Sequence, residues 1–446
     1  MRKLLLLLSL SAVSYAQTNP AINGWLINTT GITGRHYVSG NSTPIIDAVL
    51  ANVQSVNYNT TNVYVAATGI PAYITGPFLD GNPSIATSQT GAIFKFSLNP
   101  TQNIGTATAT TGGNIGLFKN GVALFDYRDG VSWRNSTSSL CGGPINPPCM
   151  GDGKWNRDAV VGERLGFDCS KAHPAMGNYH HHQNPSAFGL DINVISTVCS
   201  TYPSDGLYVI NPSQHSPLLG FAYDGFPIYG AYAYANTNGT GGIVRMKSGY
   251  QYRNITTRTV WADGTDVLDG PLVSSTYPLG YFREDYEFVS RPTDPSYLDD
   301  HNGRFCVTPE YPNGIYCYFT TVDANHNSAY PYVVGPTFYG NKTGVRVTSI
   351  TEAVSTLGVS SFNDFNFNIT IAPNPAQDFI AIQTQMAENN LKVELIDELG
   401  KVVKTGEILQ GSTLSIIETE TVYNGLYFLR ISSDKELKTF KVIIDK

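Results

Sequence analysis

The sequence predicts a mainly β protein, in which a large β-rich region is followed by a small Ig-like β-sandwich. Short β-prone runs broken by Gly, Pro and Asn fill residues 18–340, where long helical periodicity is almost absent. Asn-Gly pairs at 120–121 and 313–314 mark tight turns. Apolar residues make up 41 % of the chain and aromatic residues 11 %, which argues against disorder. No internal repeat of fixed period is evident.

The charge balance excludes one class of partner. The 446 residues carry a formal net charge of −7. Nucleic-acid binding requires an excess of basic groups to neutralise phosphates. We therefore expect no nucleic-acid partner.

The first 16 residues predict a secretory signal peptide. Arg2 and Lys3 precede an apolar run at 4–10, and Ala16 provides a small residue for cleavage. No later stretch holds about 18 uninterrupted apolar residues, so we expect no transmembrane segment beyond this peptide.

The six cysteines of an exported chain predict disulfides. Six cysteines allow about 15 pairings, and local spacing favours three of them. Cys141 and Cys149 flank a Pro-rich loop. The turn signal at 309–314 predicts a hairpin that places Cys306 opposite Cys317, which leaves Cys169 to pair with Cys199.

A histidine-rich segment is the main candidate for chemistry. In an extended strand, His180 and His182 share one face while His181 points the other way. Two imidazoles on one face can chelate a divalent metal such as copper or zinc. The candidates for further ligands are His173, His215 and Asp224. The alternative is a packed polar patch in which the imidazoles only form hydrogen bonds, and Asp224 only caps its Asp-Gly turn.

The C-terminal region differs from the rest in composition and motifs. Charged residues rise to about a quarter beyond residue 370, as in ordinary soluble domains, after a predicted linker at 346–370. Ile-Ala-Pro-Asn-Pro-Ala at 371–376 and Asn-Gly-Leu-Tyr-Phe-Leu-Arg-Ile at 424–431 closely resemble the type A C-terminal sorting domain of type IX secretion. The resemblance implies that residues 371–446 are recognised by the type IX secretion machinery and that the protein is secreted or held at the outer cell surface after export through the periplasm.

A second resemblance covers the middle of the chain. Its motifs include Ala-His-Pro at 172–174, Tyr-His-His-His at 179–182, Asp-Gly-Phe-Pro-Ile-Tyr-Gly at 224–230 and Tyr-Pro-Tyr at 330–332. This set resembles the YHYH family over residues 95–345, after an N-terminal β-rich segment at 17–94. The family carries a fold-level grouping and no settled activity. A second Tyr-His-Tyr-His block of many members is replaced here by Tyr-Cys-Tyr-Phe at 316–319.

Two functional hypotheses remain. The first is an exported protein that binds a metal ion or a small polar ligand through its histidines, with or without catalysis. The second is a non-catalytic surface module that contacts glycan or protein through its many Tyr and Trp side chains. Metal analysis of the purified protein distinguishes them.

Overall fold

The computed structural model describes residues 19–79, 86–89, 91–143, 149–185, 197–204, 206–358, 365, 367–397, 402–433 and 436–446. The predicted signal peptide lies outside the described residues. The chain divides into two compact units, Met1–Leu357 and Gly358–Lys446. Strands dominate both units, which confirms the predicted mainly β fold.

Among its described residues, the first unit has two one-turn α-helices and many short strands. The helices are α1 (Pro20–Asn23) and α2 (Ala159–Gly162). The strands are β1 (Thr33–Val38), β2 (Asn41–Leu50), β3 (Val53–Tyr58), β4 (Asn62–Ala67), β5 (Ile74–Thr75), β6 (Ile93–Ser97), β7 (Thr108–Ala109), β8 (Asn114–Phe118), β9 (Ala123–Phe125), β10 (Arg128–Arg134), β11 (Ser139–Gly142), β12 (Asn156–Asp158), β13 (Ala172–Ala175), β14 (Asn178–His181), β15 (Leu218–Ala222), β16 (Pro227–Tyr229), β17 (Tyr232–Tyr234), β18 (Ile243–Arg245), β19 (Tyr250–Tyr252), β20 (Tyr286–Phe288), β21 (Gly303–Cys306), β22 (Ile315–Phe319), β23 (Thr337–Phe338), β24 (Val345–Val347) and β25 (Ser355–Thr356).

Two sheets form the core of this unit. One has eight strands in the order β13-β14-β9-β8-β15-β16-β22-β21, and the other has five in the order β24-β6-β4-β3-β25. Phe94 and Phe96 of the five-stranded sheet lie in the same buried cluster as Leu117 and Phe221 of the eight-stranded sheet. The burial of these apolar side chains between the sheets is the main stabilising contribution.

The eight-stranded sheet consists of two similar halves, a repeat that inspection of the sequence missed. In the first half β8 and β9 form a hairpin, β9 runs parallel to β14, and β14 pairs with β13. In the second half β15, β16, β22 and β21 repeat these pairings. The halves meet where β8 and β15 pair antiparallel, with Leu117 opposite Phe221. The strand order is therefore the same when read from either edge.

The loops repeat as closely as the strands. Asn120 and Asp224 each accept a hydrogen bond from the backbone N–H two residues later, at 3.1 and 3.3 Å. Asp168 accepts from the Tyr179 hydroxyl at 2.8 Å, and Asp299 accepts from the Tyr316 hydroxyl at the same distance. These shared side-chain contacts show that the two halves use the same local architecture.

The second unit is a small two-sheet sandwich. Its strands are β26 (Ile369–Ala372), β27 (Phe379–Thr384), β28 (Leu391–Asp397), β29 (Val402–Ile408), β30 (Leu414–Glu418), β31 (Gly425–Ser432) and β32 (Leu437–Ile444). They form sheets in the orders β26-β27-β30 and β29-β28-β31-β32. Ile380 and Ile382 of one sheet and Leu395 and Leu429 of the other are buried in one core. No helix among the described residues of either unit has the length and apolarity needed to cross a membrane.

Two of the three predicted disulfides are present. Cys141 is bonded to Cys149, and Cys169 to Cys199.

The predicted third pairing is wrong, because Cys306 and Cys317 are free and buried. The hairpin register places Cys306 opposite Ile315 and Cys317 opposite Arg304. The two cysteines are therefore diagonal neighbours on the ladder rather than directly opposed.

Candidate metal centre

The hairpin β13–β14 positions three of the eight histidines. His173 on β13 lies directly opposite His180 on β14. The turn before β13 is fixed by Asp168, which accepts hydrogen bonds from the backbone N–H of Ser170 at 2.8 Å and from the Tyr179 hydroxyl. His173 and His180 are therefore held side by side by the pairing of the strands.

Alternation along β14 separates its histidines by face. His180 and His182 point to one side, where their Nε2 atoms lie 3.0 Å apart. His181 points to the other side, and its Nε2 lies 2.9 Å from the hydroxyl of buried Tyr73. This is the arrangement expected of side chains that alternate in an extended strand.

Glu163 approaches the histidines from the end of α2. Strand β12 is followed directly by this single turn, Ala159–Gly162. Asp158 starts that turn by accepting from the Val160 N–H at 2.8 Å. The turn ends at Glu163, whose side chain then reaches the hairpin.

The four side chains converge on one point. Glu163 Oε2 lies 3.0 Å from the Nε2 atom of His173 and 3.0 Å from the Nε2 atom of His182. Among the described residues, Glu163, His173, His180 and His182 form a group whose candidate ligand atoms all lie within 4.8 Å of one another. Three imidazoles and one carboxylate are a suitable ligand set for zinc or copper.

Backbone carbonyls determine which nitrogen of two rings carries the proton. His180 Nδ1 lies 2.8 Å from the Asn178 carbonyl, and His182 Nδ1 lies 2.7 Å from the Asp126 carbonyl. A carbonyl oxygen can only accept, so each Nδ1 must be the donor. In the neutral rings both Nε2 atoms then carry lone pairs, which face each other at 3.0 Å. A cation placed between them relieves this repulsion, as in metal sites whose ligand histidines donate through the other ring nitrogen.

Burial lowers the pKa of His180, and contacts with two imidazoles lower the pKa of Glu163. The side chains of His173 and His182 are 2 % and 3 % exposed, whereas that of Glu163 is 20 % exposed. Burial, reinforced by the neighbouring imidazoles, lowers the pKa of His180 well below its usual value. Burial alone would raise the pKa of Glu163, but its contacts with His173 and His182 hold that pKa below the usual range. Neutral imidazole and ionised carboxylate are the forms that bind metals.

Two phenylalanines enclose the cluster. Phe125 stacks on His180 with ring centroids 3.8 Å apart, and Phe167 meets His173 edge-on at 5.1 Å. These rings cover the histidine side of the cluster, and Glu163 is the most exposed of its four side chains.

An ion pair packs against the residue that precedes Glu163. Arg157 Nε donates to Asp129 Oδ2. A Cβ at Gly162 would clash with Arg157 Nε and would lie 2.8 Å from Asp129 Oδ2. The pair therefore packs directly against the residue before Glu163, and only glycine fits between them.

The structure places the other two predicted ligands elsewhere. His215 Nδ1 lies 2.8 Å from the Ser216 carbonyl, and its ring packs against Tyr229. Asp224 accepts from the Tyr318 hydroxyl at 2.6 Å and from the Gly340 N–H at 2.8 Å. His215 precedes the second half of the sheet, and Asp224 lies between its strands β15 and β16. Neither residue is a member of the histidine cluster.

The second half carries different residues at the positions of the cluster. Cross-strand pairing aligns His173 with Arg304 and His180 with Cys317. His181 pairs with Leu124 of β9, and Tyr318 pairs in the same way with Ile228 of β16. The next residue of each strand is therefore equivalent, so His182 corresponds to Phe319. The equivalent place thus has a guanidinium, a thiol and a phenyl ring instead of three imidazoles.

Sequence reasoning missed Glu163. The residue lies after a one-turn helix that carries no strong periodic signal, and it precedes His173 by ten positions. The Asp-Ala-Val-Val pattern at 158–161, which places an N-cap residue before an apolar pair, is the only local signal for this turn.

Comparison with protein families confirms both resemblances seen in the motifs. Residues 93–331, more than half of the chain, match the family described as YHYH protein, and residues 370–445 match the secretion system C-terminal sorting domain. A search of the curated proteins finds no match. The sorting domain identifies the protein as cargo of type IX secretion, delivered to the outer surface or the medium. The chain therefore belongs to the YHYH protein family and carries a type IX sorting domain at its C-terminal end.

Proposed function

We propose that this exported protein binds one divalent transition-metal ion through Glu163, His173, His180 and His182. The observation that carries the proposal is the pair of Nε2 atoms of His180 and His182, 3.0 Å apart, with both Nδ1 atoms directed at carbonyls. Glu163 adds the negative charge that compensates part of the charge of a divalent ion.

A proton is the competing occupant of the cluster. A proton shared between His182 and its neighbours would also relieve the repulsion between lone pairs. Burial disfavours such an imidazolium at His180, whose pKa is lowered. A metal ion satisfies all four ligand atoms at once, whereas a proton bridges only two of them.

The exposed edge of Glu163 decides what a bound ion could do. A metal with an open coordination position can activate water or hold a small anion. Water reaches this site from the Glu163 side, since the three imidazoles are almost fully buried. The proposal is therefore metal binding, with chemistry at that edge as its extension.

Metal analysis of the full-length exported protein tests the proposal. We expect about one zinc or copper ion per chain after dialysis, in line with the single cluster among the described residues. The double variant His180→Ala/His182→Ala should contain none while keeping its circular dichroism spectrum. His326→Ala removes a histidine that bonds Tyr232 outside the cluster and is the matched control.

The outcomes separate the two hypotheses. Loss of the ion in the double variant but not in His326→Ala supports the metal site. Wild-type protein that binds no zinc or copper at micromolar concentration contradicts it. The non-catalytic surface module, which contacts glycan or protein, then becomes the better account.

A further inference from the structure

We infer that the cluster is arranged for copper(II) in tetragonal coordination rather than for tetrahedral zinc. This inference rests on the proposed function and specifies the ion and its geometry. It comes from the separations of the four ligand atoms and of the three imidazole rings.

Three consecutive edges of the ligand set have the same length. The 3.0 Å separations run from His173 Nε2 to Glu163 Oε2, from Glu163 Oε2 to His182 Nε2, and from His182 Nε2 to His180 Nε2. Two atoms bound to one ion at ~2.1 Å lie ~3.0 Å apart at a right angle and ~3.4 Å apart at a tetrahedral angle. All three edges therefore match right angles at an ion more closely than tetrahedral angles.

The ring positions give the same order around the ion. In a square that runs His173, Glu163, His182, His180, the rings of His173 and His182 lie across from each other. Their centroids are 5.7 Å apart, whereas His180 lies 4.7 Å from each of them. The longest separation thus belongs to the pair that a square arrangement places on its diagonal.

The ligand types and this geometry select the metal. Tetragonal sites of nitrogen and oxygen ligands favour Cu(II) or Ni(II), and Cu(II) binds more tightly in the Irving–Williams order. Zinc in four-ligand protein sites is almost always tetrahedral. No cysteine belongs to the described cluster, so the site also lacks the thiolate of a blue-copper centre. These separations favour a copper(II) site with three imidazoles and one carboxylate over a tetrahedral zinc site.

The test is electron paramagnetic resonance of the full-length protein loaded with one equivalent of Cu²⁺. We expect an axial spectrum with hyperfine splitting from three imidazole nitrogens. His173→Gln should reduce the coupled nitrogens from three to two, while His326→Ala should leave the spectrum unchanged. Because copper binds tightly to many sites, the spectrum and not the affinity is the deciding readout.

A second ion makes the result independent of copper. Co²⁺ in a tetrahedral site absorbs strongly in the visible range, whereas tetragonal Co²⁺ absorbs weakly. We expect the weak spectrum for the wild type. A strongly absorbing Co²⁺ form, or a Cu²⁺ spectrum with tetrahedral distortion or fewer than three nitrogens, overturns the geometry while leaving metal binding intact. Failure of every ion to bind overturns the proposed function and this inference together.

Discussion

The two halves of the eight-stranded sheet share a scaffold and differ in chemistry. Each half has the same strand pairings and the same Asp–Tyr contact, Asp168 with Tyr179 and Asp299 with Tyr316. The first half places imidazoles where the second half has Arg304, Cys317 and Phe319. Backbone hydrogen bonds and buried apolar residues therefore fix the architecture, while a few positions on one hairpin determine what it can bind.

The second half uses the equivalent space for packing. The Arg304 guanidinium donates to the backbone carbonyls of Ala235 and Pro295 and lies 5.7 Å from the ring of Phe319. These contacts engage the guanidinium Nη1 without an ion. The comparison indicates that the hairpin architecture does not require a metal, and that the proposed metal site belongs to one of the two copies.

The largest effect is expected from making the first half resemble the second. His182→Phe introduces the residue found at the equivalent position, Phe319, and removes the ligand that contacts both Glu163 and His180. We expect metal affinity to fall by about 1,000-fold, or about 4 kcal/mol, as measured by competitive titration with a chelator. Phe319→Leu in the second half is the control and should leave the affinity unchanged. Equal losses in both variants would contradict the assignment of the site to one half.

The equivalent turn residues Asn120 and Asp224 differ in that only Asp224 can bind or release a proton. The pH dependence of stability therefore distinguishes the two turns. Burial raises the pKa of Asp224 to about 6, and its contacts with Tyr318 and Gly340 offset part of this rise. The unfolded value is about 3.9, so the folded wild type binds more protons than the unfolded chain between about pH 4 and 6. Its stability therefore falls as the pH rises through that window.

Asp224→Asn gives the second turn the residue type of the first and removes this titration. Relative to the wild type, its free energy of unfolding should increase by up to about 3 kcal/mol between about pH 4 and pH 7. Denaturant unfolding at the two pH values measures the change. A difference between variant and wild type that does not vary with pH would show that Asp224 is ionised throughout.

His181 and Tyr318 occupy equivalent positions that face away from the cluster site. His181→Ala removes the contact between His181 Nε2 and the buried Tyr73 hydroxyl, which costs about 1 kcal/mol of stability. We expect unchanged metal affinity in this variant, because the ring points to the opposite face of β14. Tyr318→Phe, which breaks the contact with Asp224, should likewise lower stability without an effect on metal. A large loss of metal affinity in His181→Ala would show that the His181 side chain does not point away from the cluster.

The smallest effect concerns the support of Glu163. Asp129→Asn weakens the pair with Arg157 that packs on Gly162. Loss of such an indirect contact typically costs about 10-fold in metal affinity. Asp285→Asn disrupts another buried pair, with Arg258, and should lower stability without this change in affinity.

Local rules gave much of this fold and part of the site. Strand alternation correctly separated His181 from His180 and His182, since a period of two depends only on the backbone. The position of Cys306 relative to Cys317 was wrong because a turn sequence does not determine the hairpin register to within two residues.

Local sequence patterns did not predict contacts or similarities between segments that are distant in the sequence. Glu163 joins the histidines only through the packing of α2 on the hairpin, which no local pattern encodes. The repeat itself was visible as Gly-Leu-Phe-Lys-Asn-Gly at 116–121 against Gly-Phe-Ala-Tyr-Asp-Gly at 220–225. Only glycines and the turn residue type persist there, so the shared strand pairings were needed to recognise it.

Anomalous diffraction from crystals grown with Cu²⁺ tests the central claim most directly. The account predicts one strong peak at about 2 Å from Glu163 Oε2 and from the Nε2 atoms of His173, His180 and His182. It predicts no peak at the equivalent place beside Arg304 and Cys317. An ordered first half with no peak at these four atoms, or a peak of equal height in the second half, would contradict it.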